Sequence, residues 1–184
     1  MLFNTDAVWE FFSPFAHIPG RYEWCRIHSP THGSFNTFII LGASTAHPPT
    51  VYVDSEAGRA FMADRYGESR CIQVSPGALR IEAEENGGAV VEGTLEAAEG
   101  PVRSVRMRLA ADVAAVPKAV PYGGPDFPVW GSRWSCEGID LNREGLCDGE
   151  LVHSDGRREL FRGEPCIVAA GSVAMLRPLA ASAG

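Results

Sequence analysis

Lysine is almost absent from this sequence, and so are the patterns that define several large protein classes. Lys118 is the single lysine among sixteen basic residues, and 23 acidic residues give a net charge of −7. An acidic chain disfavours nucleic-acid binding, because phosphate recognition needs a cationic surface. No apolar run approaches the roughly 20 residues that a membrane span requires. The first fifteen residues contain Asp6 and Glu10 but no basic residue, which is unlike a signal peptide.

The motifs of nucleotide chemistry and of triad hydrolysis are also missing. There is no G-x-G-x-x-G and no P-loop, and residues 42–46 lack the closing glycine of a G-x-S-x-G elbow. His28 and His32 have the spacing of a helical ligand pair, but the intervening Pro30 and the lack of a third ligand favour surface histidines. Five widely spaced cysteines without a C-x-x-C predict reduced thiols in a cytoplasmic protein. We therefore expect no metal and no other cofactor.

Glycine and proline are abundant, at 20 and 13 of 184 residues, and this indicates many turns between short strands. Alternation is clearest at residues 102–110, where Val105, Met107 and Leu109 share one face. Turns are expected at Asn86-Gly87 and Asp155-Gly156. Strands are predicted at 21–27, 34–41, 50–54, 59–66, 71–74, 78–83, 89–96, 102–110, 129–136, 146–153, 158–162 and 167–176. We therefore predict an all-β fold, with a single antiparallel β-barrel of about eight to ten strands covering residues 1–184.

Two segments are expected to lie at the mouth of this barrel. Residues 1–20 contain a predicted short helix that Thr5-Asp6 would cap and that ends near Phe12 before Pro14. This helix would either plug one end of the core or cover a ligand mouth as a lid. Residues 117–128, with four prolines and two glycines, form the one long predicted loop, and such loops are usually functional or mobile.

Aromatic residues on the predicted strands mark a candidate pocket. Trp130, Ser132 and Trp134 share one face of a strand, which suits either a pocket wall or an ordinary aromatic core. In the strand 21–27, Tyr22 and Trp24 share one face, while Glu23 and Cys25 share the other. Glu23 is either a surface residue or a carboxylate inside the barrel, and burial there would raise its pKa. Arg21 and Arg103 are candidate partners for that carboxylate, and Arg103 interrupts an otherwise apolar face.

The chain resembles a known family at several short motifs. Tyr22-Glu23-Trp24, followed by the apolar strand 34–41, resembles the opening of the lipocalin-like proteins related to AttH and the carotenoid 1,2-hydratases. Trp134 and the later segments 149–151, 155–157 and 161–163 are similar in order and spacing to the end of that family's first barrel. The resemblance covers about residues 20–165. It implies a lipocalin-like (calycin-like) barrel that takes a hydrophobic ligand, often a polyene or terpenoid.

The resemblance also implies a function, because relatives of this kind include hydratases and cyclases of natural-product pathways, some of the Diels–Alder type. Small barrels of about this size, similar in architecture only, act as spirotetronate cyclases. We therefore predict a cofactor-independent cyclase, isomerase or lyase for an apolar polyketide or terpenoid, with Glu23 and Tyr122 as catalytic residues. The substrate-binding candidates are Tyr22, Trp24, Trp130, Ser132, Trp134, Arg103, Phe12 and Trp9.

Two other functions are compatible with the same sequence. A carrier or sensor of a hydrophobic small molecule needs the same barrel but no inward titratable group. A structural barrel would have an interior that its own side chains fill. The expected partner is a hydrophobic small molecule rather than nucleic acid, and the sequence leaves a homodimer open.

Overall fold

The computed structural model describes residues 8–29, 32–42, 49–97, 99–111, 118–120 and 134–175, which form a mostly β, curled half-barrel. Its strands in chain order are β1 Val8–Ile18, β2 Tyr22–Ser29, β3 Gly33–Ile40, β4 Thr50–Val53, β5 Cys71–Gln73, β6 Leu79–Ala83, β7 Ala89–Thr94, β8 Val102–Ala111, β9 Lys118–Val120, β10 Trp134–His153 and β11 Arg158–Met175. One α-helix, α1, spans Glu56–Tyr66, and a short 3-10 helix follows at Glu68–Arg70. No helix in these ranges is long and apolar enough to cross a membrane.

All the strands belong to one sheet in the order β5-β4-β3-β2-β1-β11-β10-β8-β7-β6, with β9 paired to β10. Neighbours are antiparallel, except that β4 and β5 are parallel and are joined by the crossover helix α1. The far strand β6 packs against β1, β2 and β3, so the sheet curls over its own face. Within the described ranges no backbone pairing joins the end strands β5 and β6. The predicted all-β class is confirmed, as a half-barrel rather than a closed barrel.

The N-terminal helix predicted to end near Phe12 is wrong, because Val8–Ile18 is strand β1 between β2 and β11. Its many aromatic and β-branched residues suit a strand that pairs on both edges. The register shifts between Phe12 and Phe15, and this bulge accommodates Pro14, which has no N–H for the ladder. The segment is therefore neither a helical plug nor a helical lid. The predicted cap, Thr5-Asp6, lies outside the described residues.

The predicted strand at 59–66 is also wrong, because these residues belong to α1. The Ser55 side chain caps the helix by accepting a hydrogen bond from the Gly58 N–H at 2.8 Å. Phe61 and Met62 are buried against the sheet, and the Phe61 ring packs edge-on against Phe35 with the ring centroids 5.4 Å apart. Packing of this apolar face stabilises a helix that periodicity alone did not indicate.

Four predicted strands in the C-terminal part merge into the two strands of one long hairpin, β10–β11. Its pairing begins at Val152 with Arg158, next to the turn, and ends at Trp134 with Met175. The predicted turn at Asp155-Gly156 is confirmed, and Gly156 has a φ of 87° there. The predicted loop at 117–128 is wrong in part, because Lys118–Val120 is strand β9 and pairs with β10. Residues 121–133 lie outside the described ranges.

Apolar side chains form two cores, one on each face of the curled sheet. The inner core fills the concave side and includes Ile18, Tyr22, Trp24, Phe38, Tyr52, Leu79, Ile81, Val91, Val105, Met107, Leu109, Leu151 and Phe161. The outer core lies on the convex side under α1 and includes Phe15, Cys25, Ile27, Phe35, Ile39, Val51, Val53, Phe61, Met62 and Cys71. A side chain on β1–β5 therefore enters one core or the other according to its parity along the strand.

Two buried polar side chains tie distant strands together across the curl. The Tyr52 hydroxyl on β4 donates to the Val102 carbonyl on β8 at 3.0 Å and accepts from the Val102 N–H at 2.9 Å. Asn36 on β3 donates from Nδ2 to the Leu79 carbonyl on β6 at 3.0 Å and to the Asp54 carboxylate at 2.9 Å. These hydrogen bonds connect β4 with β8 and β3 with β6, which are not neighbours in the sheet, and so they stabilise its curled shape.

Tyr52→Phe should therefore lower the free energy of unfolding by about 2–3 kcal/mol, because it leaves two buried backbone groups of Val102 without their partner. The ring and its packing against Phe38 stay in place, so the loss reports the hydroxyl alone. Urea unfolding followed by tryptophan fluorescence measures the difference. A loss below about 0.5 kcal/mol would show that the hydroxyl does not hold β4 against β8.

Candidate functional site

Strand β2 separates the residues that the sequence proposed as neighbours in one pocket. Tyr22 and Trp24 point into the inner core, where both are buried. Glu23 lies between them in sequence and therefore points to the convex face, as alternation along a strand requires. The predicted placement of Glu23 and Trp24 on opposite faces of the strand holds. Of the two alternatives for Glu23, a surface residue or a carboxylate inside the barrel, the structure does not give the position inside the barrel.

The concave interior is filled by its own side chains in the described part of the chain. Trp24, Phe38 and Tyr52 are each fully buried. The Tyr22 ring stacks on Phe38 with the centroids 5.8 Å apart and meets Phe161 edge-on at 5.9 Å. The expected ligand space between these walls is therefore occupied by protein, so Trp24 and Tyr22 are core residues here.

The Tyr22 hydroxyl, predicted to be free for a substrate, is bound to the carboxylate of Glu159. It donates to Glu159 at 2.7 Å, and the same carboxylate is paired with Arg21 and with His153 Nε2, the latter at 3.1 Å. Burial works to raise the pKa of Glu159, but hydrogen bonds from Tyr22, His153 and Arg21 hold it below its usual range. Burial, and then Glu159, raise the pKa of Tyr22. This network fastens the start of β2 to the β10–β11 hairpin.

Arg103 is exposed and does not reach the interior. On β8, Val102 pairs with His153 and Ser104 pairs with Val152, so Arg103 is an extra residue in a bulge. Because of the bulge, the side chains of Val102 and Val105 both point into the inner core. In an unbroken strand, two residues three positions apart would point to opposite faces. The apolar face that Arg103 interrupts in the sequence is therefore continuous in the structure.

The other predicted site residues lie in β1, in β10 or beyond the described ranges. The backbone places Trp9 and Phe12 on β1 and Trp134 on β10, on the two sides of β11. Tyr122, Trp130 and Ser132 lie outside the described residues. Their roles stay predictions.

Glu23 belongs to a row of residues that face one another across seven strands. The row runs Glu144 (β10), Ile167 (β11), His17 (β1), Glu23 (β2), Ile39 (β3), Val51 (β4) and Cys71 (β5). Directly paired residues lie on the same face of a sheet, with their Cβ atoms about 5 Å apart. Helix α1 covers the row at β3–β5. His17 and Glu23 thus lie side by side at the margin of that cover.

Both titratable groups at the centre of the row are held towards their neutral forms. Burial raises the pKa of Glu23 to about 7 and lowers the pKa of His17 to about 4. No hydrogen bond or ion pair joins the Glu23 carboxylate to any residue of the described part. Between these two pKa values the pair holds one proton. It can therefore release or accept one near neutral pH.

Cys25 and His17 are two neighbours of Glu23 on the convex face. Cys25 follows two residues later on the same face, and burial, then the negative charge of Glu23, raise the pKa of its thiol well above the usual range. Cys25 is thus an inert thiol at neutral pH. Sequence analysis missed His17, because the predicted helix ends near Phe12 and no strand is predicted between that residue and Arg21. The alternation of Phe15 and His17 with Ala16 and Ile18 is the signal that could have found it.

An open groove of about 780 Å³ continues the same face beyond His17. Its lining residues are Pro19, Ala110, Glu144, Gly145, Leu146, Pro165, Cys166 and Ile167. Ile167 pairs directly with His17, so the groove begins one strand away from it. Among the described residues no group of three or more His, Cys, Asp or Glu side chains could hold a metal ion. The arrangement supplies an apolar surface two strands away from a carboxylate whose pKa burial raises.

Comparison with known proteins gives a distant structural similarity and no match in sequence. The chain matches no known protein family, and no curated protein matches its sequence. It is similar to a solved structure of acetoacetate decarboxylase from Legionella pneumophila, with 10% identity over 93% of this chain and 85% of that one, at a TM-score of 0.46. The lipocalin-like family stays a prediction. The function has to be inferred from the side chains of this chain.

Proposed function

We propose that this chain is a cofactor-independent acid–base enzyme in which Glu23 exchanges a proton with an apolar substrate on the convex face of the sheet. The observation that carries the proposal is the position of Glu23. It is a half-buried carboxylate in a largely apolar row, next to His17 and without an ion-pair partner in the described ranges. Structural carboxylates are usually paired when water is excluded from them, so an unpaired one is a candidate for proton transfer.

The chemistry follows from this position. A general base works best when its pKa lies near the operating pH, and burial brings the pKa of Glu23 to about 7. The carboxylate would take a proton from a carbon next to a substrate carbonyl, which leaves an enolate. Return of the same proton to another carbon gives an isomer. Attack of the enolate carbon on an electrophilic carbon of the same molecule closes a ring, and the proton then returns to the product.

The finer assignment is a cyclase, isomerase or lyase for a polyketide or terpenoid. Its support is the resemblance to lipocalin-like hydratases and cyclases, together with the apolar groove beside His17. The proposed site differs from the sequence-based one in its location. It lies on the outer face next to α1, whereas described aromatic side chains fill the inner face.

Proton exchange into deuterated water tests the proposal without knowledge of the natural substrate. The protein is incubated near neutral pH with medium-chain ketones and with conjugated linear enones, and proton NMR follows the signals next to each carbonyl. We expect these signals to fade faster with protein than without it. Glu23→Gln should slow the enzymatic part about 100-fold or more, which is the usual contribution of a general base. Cyclised enone would appear in the same spectra.

A surface carboxylate provides the matched control. Glu150 on β10 forms an ion pair with Arg158 on β11 at the surface. Glu150→Gln removes this ion pair and should leave the rate of proton exchange of the substrate unchanged. Equal rates for the wild type and Glu23→Gln would refute the role of Glu23. Compounds that bind but keep their protons in every variant would identify a carrier or sensor instead.

A further inference from the structure

We infer that the groove beside His17 holds an apolar chain that ends in a positively charged group, and that the Glu144 carboxylate binds this group. The inference rests on the proposed function, since it gives the substrate of Glu23 a shape and a charge. It assigns a binding role to Glu144 and Leu146, neither of which the catalytic proposal uses.

The first support is the apolar surface of the groove. Leu146 has 54% of its surface exposed, although β11 and β8 pair with the two edges of its strand. It pairs with Pro165 on β11 and with Ala110 on β8, so three apolar residues lie side by side. An exposed apolar strip of this kind in a groove is typical of a ligand surface.

The second support is the continuity between the groove and Glu23. Glu144 pairs with Ile167, Ile167 with His17, and His17 with Glu23. Three strand spacings separate the two carboxylates, which is about 14 Å across the sheet. An extended medium-length chain lying across the strands would therefore reach from Glu144 to Glu23. One end would be held while the other reacts.

The third support is the charge of the groove. Among the residues that the structure describes, Glu144 is the one charged residue in the lining, and it is exposed and forms no ion pair with any of them. Two arginines nearby are already occupied, because Arg108 pairs with Glu84, and Arg21 pairs with Glu159 and Glu164. A chain ending in an ammonium group would gain an ion pair at Glu144. A fatty acid would meet repulsion there.

Three probes of equal chain length test this inference: octylammonium, octanol and octanoate, titrated into isotope-labelled protein and followed by amide chemical shifts. We expect octylammonium to bind about three- to tenfold more tightly than octanoate, with octanol between them, as partly exposed charge pairs allow. The shifts should map to residues 144–146 and 165–167. Glu144→Gln should remove the difference between the charged probes.

Leucine variants on the same hairpin provide the structural control. Leu146→Asn should weaken binding of all three probes, because it removes apolar contact without adding charge, whereas Leu160→Asn should not, because Leu160 is 60% exposed outside the groove. Equal binding of octanoate and octylammonium, or equal effects of the two leucine variants, would overturn the inference.

The two proposals fail in different ways. Glu23→Gln should still bind octylammonium. If the probes do not bind while Glu23→Gln abolishes proton exchange, the groove assignment alone is overturned. If the probes bind as expected while Glu23→Gln exchanges protons normally, the groove stands and the catalytic proposal falls.

Discussion

Glu23→Gln is expected to raise the free energy of unfolding above pH 7 by about 1–3 kcal/mol and to leave it nearly unchanged below pH 4.5. Burial favours the protonated carboxyl, so the folded state keeps a proton that the unfolded chain releases between pH 4.5 and about 7. The unfolded state is therefore favoured progressively across this interval, and the cost is constant above it. Glutamine carries no charge and avoids the cost. Because Glu23 is only half-buried, the lower part of the range is the better expectation.

Urea unfolding at a series of pH values measures this effect. The stability of Glu23→Gln minus that of the wild type should rise from about zero at pH 4.5 to a constant value above pH 7, and the titration of His17, which both proteins share, cancels in this difference. The titration of His17 also changes the stability, over an overlapping pH interval. Its pKa of about 4 means that both proteins lose stability as the pH falls from 6.5 towards 4. Glu150→Gln, which loses the exposed pair with Arg158, should gain no stability at high pH. Parallel curves for wild type and Glu23→Gln would mean that water reaches Glu23 freely.

Gly149→Ala is expected to lower the free energy of unfolding by about 4 kcal/mol or more, the largest loss expected for a substitution by one methyl group here. A Cβ at position 149 would lie 2.2 Å from the Arg106 carbonyl oxygen and 2.7 Å from the Met107 Cα on β8. Both atoms are backbone of a paired strand and cannot rotate away. Gly149 also has a φ of 156°, next to a register shift between β10 and β11. The substitution must therefore separate β10 from β8.

Gly163→Ala is the control, because it tests the cost of a positive φ at a glycine where an added Cβ would meet no steric clash. Gly163 lies on the partner strand β11 with a φ of 59°, and a Cβ there meets nothing within 4 Å. It should cost only about 1 kcal/mol, the price of a left-handed conformation for alanine. Thermal unfolding of both variants under the same conditions gives the comparison. Similar losses at the two positions would show that β10 and β8 are not packed as closely as described.

The wrong sequence predictions have one physical origin. The pattern of apolar residues within a segment does not show which other segments of the chain will pair or pack with it. The segment that ends near Phe12 has the apolar density of a short helix, but β2 and β11 pair with both edges of strand β1 there. Residues 59–66 alternate weakly, but Ser55 caps a helix whose Phe61 packs against Phe35. In both segments tertiary contacts outweigh a small intrinsic preference.

The candidate site shows the same division. Sequence analysis names Glu23 as a candidate with two alternatives, a surface residue or a carboxylate inside the barrel whose pKa burial would raise. The structure places it among apolar neighbours on the outer face, a possibility that parity left open. Sequence analysis does not pair His17 with Glu23, because it predicts no strand on the N-terminal side of the turn that lies within the five residues between them. Arg103 was proposed as a partner, but a bulge at β8 directs it to solvent.

By itself, the sequence determined the all-β class, the turns at Asn86-Gly87 and Asp155-Gly156, and the opposite faces of Trp24 and Glu23. These properties depend on turn-forming residues and on the two-residue period of a strand, which are local. Only the tertiary structure decided which face of the sheet is concave, which strands meet, and that Glu23, His17 and Glu144 share one row. Register and curvature arise from contacts between residues far apart in the chain, and no local pattern encodes them.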